Sequence, residues 1–228
     1  MRQINNYKIV GWDVDTQRDF MEGRENNAIG YEGKLKINDA MTIAPALRKL
    51  SVYLRQKGVP IMGSVDWHNE DSLEFSLTLD FANTFPPHCI AGHYGAEKID
   101  ATRPENPIFI NPEKGFEVEG LYERLKDHEG EVFFRKDRFD VFDDNGNPYS
   151  KELVKKLGIE KAIVYGVALE VCNNFAVKGL LDLGVQIYAV EDAMKALNEE
   201  SRPQILQSWQ KAGAKIVRLE DLLNGKVI

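Results

Sequence analysis

The sequence predicts a single α/β domain spanning residues 1–228, built on a six-stranded, mostly parallel sheet with helices on both faces. Three observations predict it. Short β-branched runs alternate along the chain with longer amphipathic stretches, and that alternation favours parallel strands joined by helical crossovers. Several of the helical stretches stop at a glycine, the residue best suited to the left-handed turn that ends a helix. The chain has 228 residues, 43% of them hydrophobic, which is enough to bury one sizeable core, and it carries no internal repeat, low-complexity segment or linker.

Each element follows from local pattern. Residues 7–14 read as the first strand. Residues 41–57 place Ile43, Leu47, Leu50, Val52 and Leu54 at helical spacing, and Gly58 ends that helix. Residues 59–65 form the second strand and the short alternating run 131–135 the third. Ser150 is expected to cap a helix over 151–157, which stops at Gly158. The strongly apolar run 161–167 is the fourth strand. It is followed by a helix over 170–183 that ends at Gly184, a fifth strand over 185–190, a helix over 199–212 and a sixth strand over 215–219. Asn145-Gly146 reads as a tight turn. The stretches 21–39 and 73–130 are long for simple connections, so they serve either as binding loops or as subunit contacts in a homo-oligomer.

Composition narrows the function. Lys and Arg number 29 against 36 Asp and Glu, a formal charge of −7, with no long basic run. Nucleic acid and anionic membrane are therefore poor main partners, whereas a small ligand is not excluded. No stretch approaches the ~20 apolar residues that span a bilayer. Residues 1–7 are polar and lack a signal-peptide core, so a cytoplasmic location is expected. Two cysteines, Cys89 and Cys172, do not make a disulfide framework, and each thiol needs its own explanation.

In open parallel sheets ligands sit beyond the carboxyl ends of the strands. Reading across those ends gives Asp13 and Asp15, then Asp66 and His68, then Lys136, then Cys172. Cys172 falls early in a helix, where unpaired N–H groups and the helix dipole favour a thiolate and could hold an oxyanion. It could equally be a small buried apolar residue, as free cysteines usually are. Asp66 and His68, two residues apart in an extended segment, point the same way, and His88 could complete a set of two imidazoles and one carboxylate. Such a set suits Zn²⁺, Fe²⁺ or Mn²⁺, although histidines of this kind also serve simply as hydrogen-bonded residues.

These segments, in order, resemble the isochorismatase-like cysteine hydrolases, and within them the nicotinamidases. Asp15-Thr16-Gln17-Arg18-Asp19-Phe20 resembles the family's Asp-x-Gln-x-Asp-Phe opening, and Asp66-Trp67-His68 its metal motif. Pro87-His88-Cys89 followed by Gly95-Ala96-Glu97 is similar to the segment supplying the last metal histidine. Lys136 with Phe139 and Phe142 resembles the catalytic-lysine segment, and Gly166-Val167-Ala168-Leu169-Glu170-Val171-Cys172 the nucleophile turn. Asp192-Ala193, after the fifth strand, also fits. Leu169 stands where the family usually carries Thr, and Phe139 where it carries Tyr.

The resemblance implies a three-layer sandwich and a catalytic triad of Asp15, Lys136 and Cys172, with the N–H groups of Ala168 and Cys172 as oxyanion hole and a cis bond between Val167 and Ala168. It further implies a divalent metal, zinc in the first place with iron or manganese as alternatives, on Asp66, His68 and His88. Phe20, Trp67 and Phe139 are expected to wall the substrate site. The expected reaction is hydrolysis of nicotinamide to nicotinic acid and ammonia through a cysteine thioester. A ureido or carbamoyl amide is the alternative substrate, and a non-catalytic metabolite-binding protein the alternative class. Cys89, His93 and His128 receive no role.

Overall fold

The computed structural model describes residues 8–76, 78, 84–113 and 115–226. Tyr7, expected to open the first strand, lies outside them. The strands are β1 (Ile9–Val14), β2 (Ile61–Asp66), β3 (Ile108–Ile110), β4 (Val132–Lys136), β5 (Lys161–Val167), β6 (Gln186–Lys195) and β7 (Lys215–Val217). They form one seven-stranded sheet in the order β3-β4-β2-β1-β5-β6-β7, and every pairing is parallel.

The sheet thus has seven strands where six were expected. The additional one, β3, is a three-residue edge strand inside the long 73–130 stretch. Three residues are too few to display an alternating pattern. Pairing with β4 creates the strand, with Ile108 opposite Val132 and Ile110 opposite Phe134.

The helices are α1 (Arg18–Met21), α2 (Ala44–Lys57), α3 (Val118–Leu125), α4 (Ser150–Lys156), α5 (Cys172–Asp182), α6 (Arg202–Lys211) and α7 (Leu219–Leu223). One face of the sheet is covered by α3 to α6. Leu121, Leu153, Val177 and Trp209 there meet Trp12, Phe134, Val164 and Ile187. The other face is covered by α1, α2 and α7, whose Phe20, Leu47, Leu50 and Leu222 pack with Val65, Phe133, Ile163 and Val190. Alternation along β5 serves both layers, since Val164 faces one core and Ile163 and Tyr165 the other. No helix among the described residues is long and apolar enough to cross a membrane.

Several boundaries moved, each for a local reason. Ser150 does not cap α4 but is its first residue. Its Oγ donates instead to the carbonyls of Val141 (2.7 Å) and Asn147 (2.9 Å). The helix expected from residue 170 begins only at Cys172. The strand expected to end at Val190 continues to Lys195, because β6 resumes pairing with Gly166 and Val167 after a register shift in β5. Leu219, expected in the last strand, instead opens α7, with its N–H donated to Asp192 Oδ1 at 2.8 Å.

Candidate active site

Strand register assembles the site. Asp66 at the end of β2 pairs directly with Lys136 at the end of β4, and Val14 of β1 pairs with Ser64 on one side and Gly166 on the other. Asp15, the next residue after β1, therefore sits level with Asp66, Lys136 and the turn leading to Cys172. Asp15 turns sharply out of its strand with φ at 46°, a left-handed conformation that costs an ordinary residue roughly 1–2 kcal/mol. The turn is held by its N–H on the Ser64 carbonyl (3.2 Å) and by Ser64 Oγ, which donates to Asp15 Oδ1 at 2.8 Å.

The turn leading to Cys172 is built on Gly166. With φ at 120° it adopts a conformation side chains rarely enter, and a Cβ there would lie 2.0 Å from the Val14 carbonyl oxygen. The Val167–Ala168 peptide is cis. The N–H groups of Val171 and Asn173 both donate to the Ala168 carbonyl, at 3.2 and 3.1 Å. Those of Ala168 and Cys172 have no hydrogen-bond partner among the described residues. Two free N–H groups thus flank the thiol at the start of α5, an arrangement able to receive an oxyanion.

Lys136 is the hub. Its Nζ lies 2.9 Å from Asp15 Oδ2, contacts Asp66 Oδ1, and stands 3.7 Å from Cys172 Sγ. A ligand atom from each of Asp15, Asp66 and Cys172 lies within 4.8 Å of the others, with Lys136 among them. All four groups are buried. Burial opposes the charge on Lys136, but Asp15, Asp66 and Cys172 outweigh it and hold the ammonium well above its ordinary range. Burial likewise disfavours the Asp66 carboxylate, yet Lys136 and the His68 and His88 rings keep that carboxyl well below the usual value. Burial pushes the Cys172 thiol well up, with Asp15 and Asp66 adding to the effect and Lys136 opposing it. Burial thus favours the neutral thiol, and the carboxyl groups of Asp15 and Asp66 both lie within 4.8 Å of the sulfur.

The metal candidates meet beside this hub. A parallel bridge joins His68 to Ile90, with the His68 N–H on the Cys89 carbonyl (3.1 Å), and so brings His88 over β2. Ligand atoms of Asp66, His68 and His88 lie within 4.8 Å of one another. The Nδ1 atoms of the two rings are engaged elsewhere, His68 with Asp137 Oδ1 (2.7 Å) and His88 with the Pro86 carbonyl (2.8 Å). Their Nε2 atoms face Asp66 Oδ2 at 3.6 and 3.5 Å, and buried His68 Nε2 has no hydrogen-bond partner. An orphaned nitrogen in a set of two imidazoles and a carboxylate, with outer nitrogens oriented by acceptors, fits a divalent metal.

Three further residues carry geometry that sequence reading left unassigned. Buried Glu74 lies 3.9 Å from His68 Nε2, and its Oε1 has no hydrogen-bond partner among the described residues. Burial and the Asp66 charge push the Glu74 carboxyl up to about 7. Asp137 orients His68, as above. Gln17 clamps the Asp66 backbone by accepting its N–H (2.7 Å) and donating to its carbonyl (2.7 Å). Position six after His68 and adjacency to Lys136 were the only signals for Glu74 and Asp137.

A narrow cavity opens over Cys172, with Asp66, Glu74 and His88 on one side. Phe20, Phe139, Leu35 and Ile37 supply apolar wall. Trp67, expected in that wall, is not part of it. Its N–H pairs with the Lys136 carbonyl (2.9 Å), and its ring stacks under the Arg135 guanidinium at 3.7 Å, because neighbouring residues of an extended chain point oppositely and Asp66 and His68 take the inward direction. Cys89 is fully buried beside His88, and His128 donates to or accepts from no site residue but meets the Asn106 carbonyl at 2.9 Å.

The family model described as Isochorismatase domain matches residues 14–221. Among curated proteins, the nicotinamidase/pyrazinamidase of Mycobacterium tuberculosis is 22% identical over 209 residues, covering 90% of this chain and 95% of that one. Among solved structures, the pyrazinamidase of Pyrococcus horikoshii in complex with zinc superposes with a TM-score of 0.69 at 23% identity, covering 92% of this chain and 99% of its own. An isochorismatase family protein from Desulfovibrio vulgaris gives 0.72 at 19% identity, covering 98% and 100%.

Proposed function

The chain belongs to the isochorismatase family as a hydrolase of amide bonds, and we propose that its substrate is nicotinamide, cleaved to nicotinic acid and ammonia through a thioester on Cys172. The observation that carries the reading is the buried Lys136 ammonium, held between Asp15 and Asp66 and 3.7 Å from the sulfur of Cys172, which itself lines a cavity beside two N–H groups unpaired among the described residues.

Each residue then has a task. Asp15 accepts the thiol proton, and Lys136 balances the negative charge that forms. The thiolate attacks the amide carbon, and the N–H groups of Ala168 and Cys172 receive the oxyanion. Asp15 returns its proton to the departing ammonia, and water then cleaves the thioester with Asp15 as base. Asp66, His68 and His88 would hold zinc. When bound, the metal supplies a Lewis acid for a ring nitrogen or a water. Phe20 and Phe139 present aromatic faces to a flat ring, each contact adding roughly 0.5–1.5 kcal/mol beyond burial.

The test is ammonia release from nicotinamide, pyrazinamide, benzamide and a ureido amide, with metal content measured on the same protein. Nicotinamide is expected to lead, and benzamide, which lacks the ring nitrogen, to lag. A ureido amide turned over fastest would reassign the substrate while leaving the roles of Asp15, Lys136 and Cys172 intact.

A further inference from the structure

Asp19 lies outside the reacting cluster, yet two walls of the cavity depend on it. It sits in α1, is 3% exposed, and precedes the cavity residue Phe20. Its Oδ1 accepts from the Tyr31 hydroxyl (2.5 Å) and from the Lys34 N–H (2.8 Å). Its Oδ2 accepts from the Cys89 N–H at 2.6 Å. The first two donors belong to the loop that supplies Leu35 and Ile37 to the cavity. The third belongs to the turn that presents His88, where Cys89 takes a left-handed φ of 46°.

The packing around this carboxylate leaves no slack. A Cβ on Gly95 would fall 2.3 Å from Asp19 Oδ2 and 2.4 Å from the Tyr31 hydroxyl, and one on Gly33 would fall 2.4 Å from the Asp19 carbonyl oxygen. Backbone bonds continue the seam: the Leu35 N–H donates to the Asp19 carbonyl (3.1 Å) and the Ile37 N–H to that of Phe20 (2.9 Å). The Phe20 ring then rests against His88 with centroids 5.3 Å apart.

We propose that Asp19 is a positioning residue that sets the width of the cavity over Cys172, by tying the Leu35–Ile37 wall and the His88 turn to one carboxylate. The inference rests on that cavity being the reaction site. Three donors converge on two oxygens, and two of the donors are backbone N–H groups that cannot reverse their role. An asparagine in the same place would turn its amide NH₂ toward the Cys89 N–H or toward the Lys34 N–H, so one wall is released whichever way the amide lies. Tyr31→Phe removes a single donor and leaves both backbone anchors.

The experiment compares wild type, Asp19→Asn and Tyr31→Phe. It measures the rate at which iodoacetamide alkylates Cys172, resolved from Cys89 by peptide mass spectrometry, together with zinc affinity against a chromogenic chelator, and kcat and KM separately. Asp19→Asn is expected to speed alkylation several-fold, to weaken zinc by about tenfold, the lower end for loss of a residue that orients a ligand, and to raise KM more than it lowers kcat. Tyr31→Phe is expected to speed alkylation and raise KM while leaving zinc affinity alone. A folded Asp19→Asn protein with wild-type alkylation rate and zinc affinity overturns the proposal, because a purely structural residue would lower only the melting temperature. If Asp19→Asn does not fold, Tyr31→Phe decides, and a wild-type alkylation rate in it also overturns the proposal. Alkylation needs neither substrate nor metal, so a wild type that hydrolyses no amide would defeat the functional reading and leave this comparison standing.

Discussion

Two lysines are buried beside the first strand, and their partners differ. Lys98 Nζ meets Asp13 Oδ1 at 3.0 Å and Thr16 Oγ1 at 3.2 Å, and lies over the Phe133 ring. Thr16 donates to Asp13 at 2.8 Å and bonds to Thr102 at 2.6 Å. One cation faces one carboxylate, and hydroxyls occupy the remaining valences. Lys136 faces two carboxylates and a thiol, with an unpartnered imidazole nitrogen nearby. Asp13 and Asp15 are only two residues apart in sequence, so the contrast comes from what each meets. A charge-balanced cluster closes on itself and holds loop to strand. A cluster with more negative than positive charge has room for a further cation and for a proton to move, which is what a reaction site needs.

The most severe test is of the thiol. Cys172→Ala should reduce ammonia release by roughly 10⁴-fold or more, since removing a nucleophile disables the whole set, while the melting temperature stays near that of wild type. Cys89→Ala, at a fully buried thiol outside the lining of the cavity, should leave turnover nearly intact. A reversal of the two would transfer the chemistry to the wrong side of the site.

Exchanging each lysine for methionine shows whether the two clusters differ in task. Lys136→Met should lower kcat by roughly 10²–10⁴-fold, the range for loss of a group that supports proton transfer. Lys98→Met strands a buried carboxylate and should cost about 3–5 kcal/mol of unfolding free energy, with kcat of the folded fraction retained. Chemical denaturation beside steady-state kinetics separates these outcomes. Equal losses of kcat with unchanged stability would erase the distinction between the two clusters.

A smaller effect is expected at Asp137, which orients His68 from outside the ligand set. Asp137→Ala should weaken zinc by about 10–100-fold and leave Cys172 alkylation unchanged. Chelator competition checks it, and full zinc affinity would place His68 outside the metal set.

The smallest effect concerns a third ion pair, between half-buried Arg55 and buried Glu131. Glu131 meets Arg55 at 2.7 Å, yet burial outweighs Arg55 and raises its carboxyl to about 7 from 4.5. Between those values the folded protein keeps a proton that the unfolded chain has released. Its contribution to stability is therefore full below pH 4.5 and is lost as pH rises through about 7. Glu131→Gln should flatten that slope in melting temperature measured from about pH 4 to about pH 8. An identical slope in the variant would show that Arg55 keeps Glu131 ionised throughout.

Much of the site was legible because its residues stand at strand ends, where polar residues interrupt apolar runs. Asp15, Asp66, His68, Lys136 and Cys172 could all be picked out in this way. Trp67 was misplaced because its direction depends on which neighbours take the inward side. Glu74 and Asp19 carried no periodic signal, and their importance lies in contacts between segments distant in sequence.

Local pattern in the sequence placed six of the seven strands and four of the seven α-helices of the described residues, the glycine stops, and the polar residues at the carboxyl edge. Those follow from side-chain periodicity and backbone freedom, which are local properties. Tertiary structure alone decided the seventh strand, the opposition of Asp66 to Lys136, the unpaired N–H groups beside Cys172, and the difference between the two buried lysines. Each of these depends on strand register and on burial, and neither exists until the sheet has formed: three residues become a strand only against β4, and a carboxylate becomes a base or a strut only by what lies within about 3 Å of it when water is excluded.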